Sequence, residues 1–194
     1  MFMGRPGAGK GTQSRLLIES LNKIDPAHPV LHIETGAEFR KFNEGSSYTA
    51  KVGKRVVDSG GLMPEFMPVY IWGSALVAGF TGDQHVIFDG TPRKLLEGEL
   101  VGSVFPFYGL RPHLVYLEVD HEESKKRLLL RSQREGRKDD DEAAIERRKT
   151  AYETDVHPTV EYFRSAEGVD FHEIDGLGAI EAVHQRILEA LKLS

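Results

Sequence analysis

Gly4-Arg5-Pro6-Gly7-Ala8-Gly9-Lys10-Gly11-Thr12-Gln13, almost at the start of the chain, has residues spaced to hold phosphate. Gly4, Gly7 and Gly9 let the backbone wrap an anion, a following helix aims its first amides at it, and Lys10 reaches the β and γ groups of a triphosphate. The pattern G-x-x-x-x-G-K is ordinarily followed by Ser or Thr, whose hydroxyl holds Mg²⁺. Here that position is Gly11, with Thr12 one residue late. The bland alternative is a glycine-rich turn that caps a helix.

A second stretch, Val86-Ile87-Phe88-Asp89-Gly90-Thr91-Pro92-Arg93, reads as a strand ending in a carboxylate. Asp89 there can hold Mg²⁺, directly or through water, beside a triphosphate. It can also open a tight turn with Gly90, but Arg93 four residues on makes the turn an insufficient account.

Elements must bring these residues together. Short apolar runs at Met1–Met3, Val30–Ile33, Val86–Phe88, Leu114–Val119 and Val169–Ile174 alternate with helical patterns, which predicts an α/β fold with a parallel sheet. A helix is expected from Lys10 to Asn22, with Leu16, Leu17 and Leu21 toward the sheet. A last one shows an apolar face of Leu177, Ile180, Val183, Ile187, Leu188 and Leu191. Val101 to Leu110 reads as a loop because of Pro106 and Gly109. The polar segments 35–64 and 132–141 read as insertions on the ligand side of the sheet.

Composition sets the outer bounds. At 194 residues, 40% hydrophobic and 28% charged, the chain fits one globular domain. It has no cysteine, which rules out disulfides and thiolate metal sites and fits a reducing compartment. The net charge of −5 argues against a general nucleic-acid binder. No apolar run has membrane-spanning length and no basic-then-apolar leader opens the chain, so no membrane association and a cytoplasmic location are expected. The histidines form no convincing ligand pair; His28 and His32 are four apart, but Pro29 breaks any helix that would align them.

With these residues in view, the sequence resembles the nucleoside monophosphate kinases of the adenylate kinase family. Five family motifs occur in order: Gly4 to Gln13, T-G-x-x-x-R at Thr35 to Arg40, D-G-x-P-R at Asp89 to Arg93, R-x-x-x-R at Arg127 to Arg131, and G-R-x-D-D at Gly136 to Asp140. The match covers essentially the whole chain. The resemblance implies a three-layer P-loop NTPase-type fold with a five-stranded parallel sheet, a core of 1–34, 65–131 and 142–194, an acceptor-binding helical insertion 35–64 and a short lid 132–141. It implies reversible transfer of the ATP γ-phosphoryl group to AMP, with Mg²⁺ and ATP required, no zinc in the short lid, and a monomer.

The same resemblance assigns roles. Gly7, Ala8, Gly9, Lys10, Gly11 and Thr12 would hold ATP phosphates, and Arg127 would stack on the ATP base. Arg131, Arg137 and Arg148 would meet the transferring phosphates, with Lys10 and Arg93 completing the catalytic set. Arg40 and Arg93 would grip the acceptor phosphate; Thr35, Gly36, Leu62, Met63, Gly90 and Glu97 would line the acceptor site. Arg137, Asp139 and Asp140 belong to the lid. Asp89, with Thr12 as a second candidate, would hold the metal.

Physical chemistry favours such a set independently. Phosphoryl transfer needs positioning and charge stabilisation, which arginine supplies through planar, bidentate donors that stay protonated. The bland reading of Arg127 and Arg131 is a solvated helix face.

Two departures mark this chain. Ala37 stands where the family usually has aspartate. Glu97 stands where it commonly has a glutamine that reads adenine, and an ionised glutamate only accepts, which would suit guanine. Thr35 matches the adenine-selective members. AMP is therefore the expected acceptor, with GMP, UMP or CMP as alternatives. Rivals of other classes are a GTP-binding switch, suggested by Asn22-Lys23-Ile24-Asp25 and Asp58-Ser59-Gly60-Gly61 but in the wrong order, and a P-loop kinase for another metabolite.

Overall fold

The computed structural model describes residues 1–59, 63–135 and 142–193. Five strands, β1 (Phe2–Gly4), β2 (Val30–Glu34), β3 (His85–Asp89), β4 (His113–Glu118) and β5 (Asp170–Asp175), form one parallel sheet in the order β2-β3-β1-β4-β5. Each predicted strand is present, displaced by a residue or two. The short first strand is possible because β1 lies between β3 and β4, and its neighbours satisfy its backbone on both sides.

Side chains alternate across the sheet with period two. Phe2, Ile87, Val115 and Leu117 face α1 (Lys10–Ile24) and α9 (Ile180–Ala190), meeting Leu17, Leu21, Val183 and Ile187. Ile33 and Phe88 face the other way, against Trp72 and Leu76 of α4 (Phe66–Gly79) and Val101 and Phe105 of α5 (Leu95–Tyr108). Met3, Leu114 and Tyr116 share that face and meet Val160 and Phe163 of α8 (His157–Ser165). Each fully buried leucine or valine contributes about 1.5–3 kcal/mol, so both helical layers are held by packing. The remaining described helices are α2 (Thr35–Asn43), α3 (Tyr48–Asp58), α6 (His121–Glu135) and α7 (Glu142–Ala151), the last continuing through a π-helical turn, Tyr152–Val156, into α8.

Three local expectations change. Val101 to Leu110 is helix, not loop: α5 runs to Tyr108 and contains Pro106 in its last turn. Gly109 caps it in the left-handed region at φ 67, and Leu110 N donates to Phe105 O at 2.8 Å, so the proline and glycine mark a helix end. The apolar face of the last helix is narrower than predicted, because Leu177 lies ahead of α9 and is 43% exposed, and Ile180 opens the helix 52% exposed beside a cleft. Leu16 is only half-buried, outside the cluster formed by Leu17 and Leu21. Residues 35–64 begin with two helices, α2 and α3, and residues 132–135 continue α6. No described helix is long and apolar enough to cross a membrane.

Candidate active site

Three strand ends meet where the sheet order reverses direction, the usual crevice of an open α/β sheet. β1 delivers the glycine loop, β3 delivers Asp89, and β2 runs straight into α2 at Thr35. Gly7 sits at φ 81 with α6 packed on it; a Cβ there would lie 2.8 Å from Ser124 O. Ser124 fixes the contact by donating its hydroxyl to Pro6 O at 2.6 Å.

Gly11, the apparent defect of the loop, has a physical reason. A Cβ at Gly11 would lie 3.3 Å from Asp89 Oδ2, so a serine or threonine there would crowd the carboxylate. The hydroxyl facing Asp89 comes from Ser14, one turn further along α1, whose Oγ donates to Asp89 Oδ2 at 2.9 Å. Asp89 and Ser14 are both buried. Sequence reading missed Ser14, and its spacing of i+3 from Gly11 on the helix was the available signal.

Lys10 opens α1 and its Nζ donates to Gly4 O at 2.8 Å and Arg5 O at 2.9 Å. Burial pushes its pKa down from 10.5 to about 7; Asp89 opposes that shift, and Arg93, Arg148 and Arg131 add to it. Four cationic side chains from four parts of the chain thus act on one another at this point. Arg93 Nε donates to Gly90 O at 2.8 Å. A Cβ on Gly36 would stand 3.5 Å from Arg40 Nη1 and 3.9 Å from Arg93 Nη2, so the two guanidinium groups flank Gly36 together. Arg40 also reaches Glu34 Oε1 at 3.2 Å.

Thr35, Thr91 and Glu97 are buried in one chain of hydrogen bonds. Thr35 Oγ1 and Thr91 Oγ1 lie 2.6 Å apart, Thr91 donates to Glu97 Oε1 at 3.1 Å, and Arg93 N donates to Glu97 Oε2 at 2.7 Å. Glu97 therefore does not face bulk solvent. Burial raises its pKa, against the opposing pull of the Arg93 amide and charge and the Thr91 hydroxyl.

Arg127 is fixed on both sides, its Nε donating to Glu123 Oε1 at 2.8 Å and its Nη2 to Gly176 O at 3.0 Å. Gln13 reaches the same 176–180 loop, Nε2 donating to Ile180 O at 2.9 Å. Its place in G-K-G-T-Q is thus a tether to that loop. Arg5 lies 4.4 Å over the Tyr152 ring and 3.7 Å from Glu153 Oε1. Tyr152 follows α7, which carries Arg148, so Arg5 links the phosphate loop to the helix bearing a predicted site arginine.

The glycine loop, Asp89, Arg40, Arg93, Glu97 and Arg127 open into one cavity of ≈1110 Å³. Single small-molecule pockets span about 300–1,000 Å³, so there is room for more than one. Gly7 to Thr12, Thr35, Gly36, Arg40, Met63, Asp89, Gly90, Arg93, Glu97, Arg127, Arg131 and Arg148 all line it. Lys54, Asp58, Glu65 and Glu123 line it too and were missed; no spacing in the sequence singles them out. Leu62, Arg137, Asp139 and Asp140 lie outside the described residues. Asn22 to Asp25 falls at the far end of α1, about 20 Å from its start at 1.5 Å per residue, so it does not form a base-reading motif beside the phosphate loop.

The family model described as adenylate kinase matches residues 2–168. An adenylate kinase of Phocaeicola vulgatus is 31% identical over 193 residues, covering 99% of this chain and 97% of that protein. One of Nocardioides sp. is 36% identical over 198 residues, with 98% and 95% covered, and one of Thermus thermophilus is 32% identical over 192 residues, with 98% and 95% covered. With a family match over most of its length and these full-length relatives, the chain belongs to the adenylate kinase family.

Proposed function

We propose that the protein catalyses ATP + AMP ⇌ 2 ADP, with Mg²⁺ as the accompanying ion. The observation that carries this reading is the single cavity joining the Lys10 loop to the Arg40–Arg93 pair at Gly36. A switch that only hydrolyses GTP has no use for a second phosphate grip of that kind. A panel of AMP, GMP, CMP and UMP with MgATP tests it; GTP hydrolysis without transfer to any monophosphate would overturn it.

In this reading the glycine loop and the start of α1 hold the ATP phosphates, and Arg127 lies against the ATP base. Arg40 and Arg93 hold the acceptor phosphate. Lys10, Arg93, Arg131 and Arg148 stabilise charge on the transferring group, with Arg137 from the lid. No side chain is required as general base, because the attacking phosphate oxygen is already anionic. Asp89, a carboxylate beside the side-chain-free Gly11, fits Mg²⁺, which keeps several waters and takes one or two carboxylates. Held there by Asp89, the ion would supply positive charge that neutralises part of the phosphate charge. Thr12 lines the same cavity as the second candidate. Segments 35–64 and 132–141, the latter including Asp139 and Asp140, close over the substrates and exclude water. The enzyme acts as a cytoplasmic monomer.

Glu97 favours a second acceptor, GMP. Its carboxylate, with one bond already accepted on each oxygen, has only acceptor capacity left when ionised. Glu97→Gln would place an amide donor in the chain and should shift the AMP-to-GMP preference toward AMP by about tenfold, on the scale of one hydrogen bond. Equal ratios in the two proteins would remove Glu97 from base reading.

Lys10 makes binding sensitive to pH. Its depressed pKa means that between about 7 and 10.5 the free protein leaves this ammonium largely deprotonated. A polyanion restores the proton, so ATP binding at pH 8.5 should take up close to one proton and weaken as pH rises through that window. Calorimetry in two buffers of different ionisation enthalpy reads the uptake. Equal apparent enthalpies would refute it.

A further inference from the structure

Outside the cleft, at the opposite end of α1, three metal-ligating side chains converge. Asp25 closes α1; His28 follows in the next turn, with its Nδ1 2.8 Å from Asp25 Oδ1. His85, 60 residues beyond Asp25, begins β3 and puts its Nε2 2.9 Å from Asp25 Oδ2. The chosen ligand atoms of the three residues all lie within 4.8 Å of one another. Sequence reading paired His28 with His32 and found nothing; the partner supplied by the fold is His85.

The backbone holds the three in place. His28 N donates to Asp25 O at 3.2 Å, and His85 N donates to Pro29 O at 3.0 Å, where β2 and β3 enter the sheet side by side. Asp83 adds a further negative charge facing His28. Side-chain exposures of 51% for His28, 36% for Asp25 and 35% for His85 leave a path for an ion and a position for water.

We propose that Asp25, His28 and His85 form a binding site for a divalent transition cation of the Zn²⁺ class, a two-histidine, one-carboxylate set completed by water. Zn²⁺ binds histidine nitrogen at about 2.0–2.1 Å and carboxylate oxygen at about 2.0–2.2 Å in a tetrahedron, which puts ligand atoms roughly 3.3 Å apart. The His–Asp contacts of 2.8 and 2.9 Å would open by a few tenths of an ångström, and the remaining ligand pair, within 4.8 Å, would close toward the same spacing through rotation of the exposed His28 ring. The ion would replace the protons that the imidazoles share with Asp25, so binding releases protons and is favoured above neutral pH. Imidazole nitrogen with one carboxylate excludes Mg²⁺, which prefers oxygen and water. Bound, the cation would join the far ends of α1 and β3, the elements whose near ends carry Lys10 and Asp89. Its effect is on stability, with no part in the transfer.

The other histidine pair among the described residues is a poorer candidate. His113 Nδ1 and His172 Nε2 are 3.0 Å apart, but the neighbouring Asp170 is engaged by Arg111 at 2.6 and 2.8 Å. That pair serves as the control.

The test is titration of the full chain with ZnCl₂ at pH 7.5, without nucleotide or Mg²⁺, followed by calorimetry and thermal unfolding. One-to-one binding should raise Tm by about 5–10 °C at a free concentration of 100 times Kd. His28→Gln, on an exposed side chain, and His85→Gln should each weaken binding at least about tenfold, while His172→Gln leaves it unchanged. No saturable binding, or binding indifferent to both His28→Gln and His85→Gln, overturns the site. If His85→Gln destabilises the metal-free fold, the result for His28→Gln decides.

Discussion

Lys10→Met is expected to lower kcat by about two to three orders of magnitude while leaving the protein folded and its Tm unchanged or raised. The first half follows from position. Lys10 opens the helix that faces the phosphates and shares its surroundings with Arg93, Arg131 and Arg148. Removing one such preorganised charge costs about 3–4 kcal/mol of transition-state stabilisation, and each 1.36 kcal/mol is tenfold. The second half follows from electrostatics. A lysine held near pKa 7 by burial and like charge is a liability to the folded state; between pH 7 and 10.5 the unfolded chain binds more protons than the native one, so stability rises with pH across that window. Methionine keeps most of the volume without that penalty, and only the two carbonyls of Gly4 and Arg5 lose a donor. Turnover within tenfold of the parent would remove Lys10 from the transfer. A large fall in Tm would mean that activity is lost through the fold.

Arg93→Ala is expected to raise the Michaelis constant for AMP by about 30- to 150-fold, the worth of a charge-assisted hydrogen bond of about 2–3 kcal/mol. The constant for ATP should move by less than about threefold, since that phosphate grip is the glycine loop. The substitution is clean in one respect: the bond that Arg93 gives Glu97 comes from its backbone N–H, which alanine keeps. Its side chain loses only Gly90 O and the shared position with Arg40 at Gly36. Because the Arg93 charge also holds Lys10 down, its removal should move the Lys10 titration upward and the proton uptake on ATP binding to higher pH. An AMP constant equal to the parent's would place the acceptor phosphate elsewhere, with Arg40 the next group to replace.

Several features of this site resolve only when the chain is folded. Gly11 reads as a lost magnesium ligand until Asp89 is seen across from it, with Ser14 supplying the hydroxyl. Arg5 has no assignable role until Tyr152 and Glu153 come under it, which ties the loop to the helix bearing Arg148. Glu97 reads as a base contact; in the fold it is buried, with one oxygen accepting from Thr91 and the other from the Arg93 amide. Pro106 and Gly109 read as a loop because local turn chemistry is the same at a helix end, and α5 continues to Tyr108 because one face of it, Val101, Phe105 and Tyr108, packs against the sheet and α4.

What the sequence determined by itself is what short-range physics encodes. Short apolar runs set the strands, glycines at fixed spacing shaped the phosphate loop, and ordered arginine motifs named the family and its chemistry. What only the tertiary structure decided is which distant residues share a volume: Ser14 with Asp89, Arg40 with Arg93, Gln13 with the 176–180 loop, and Asp25 with His85. Those pairings depend on strand order and on which face each side chain takes. Chain separation carries no information about either, because loop closure grows only logarithmically costly with length, and packing of the whole core selects among the arrangements that remain.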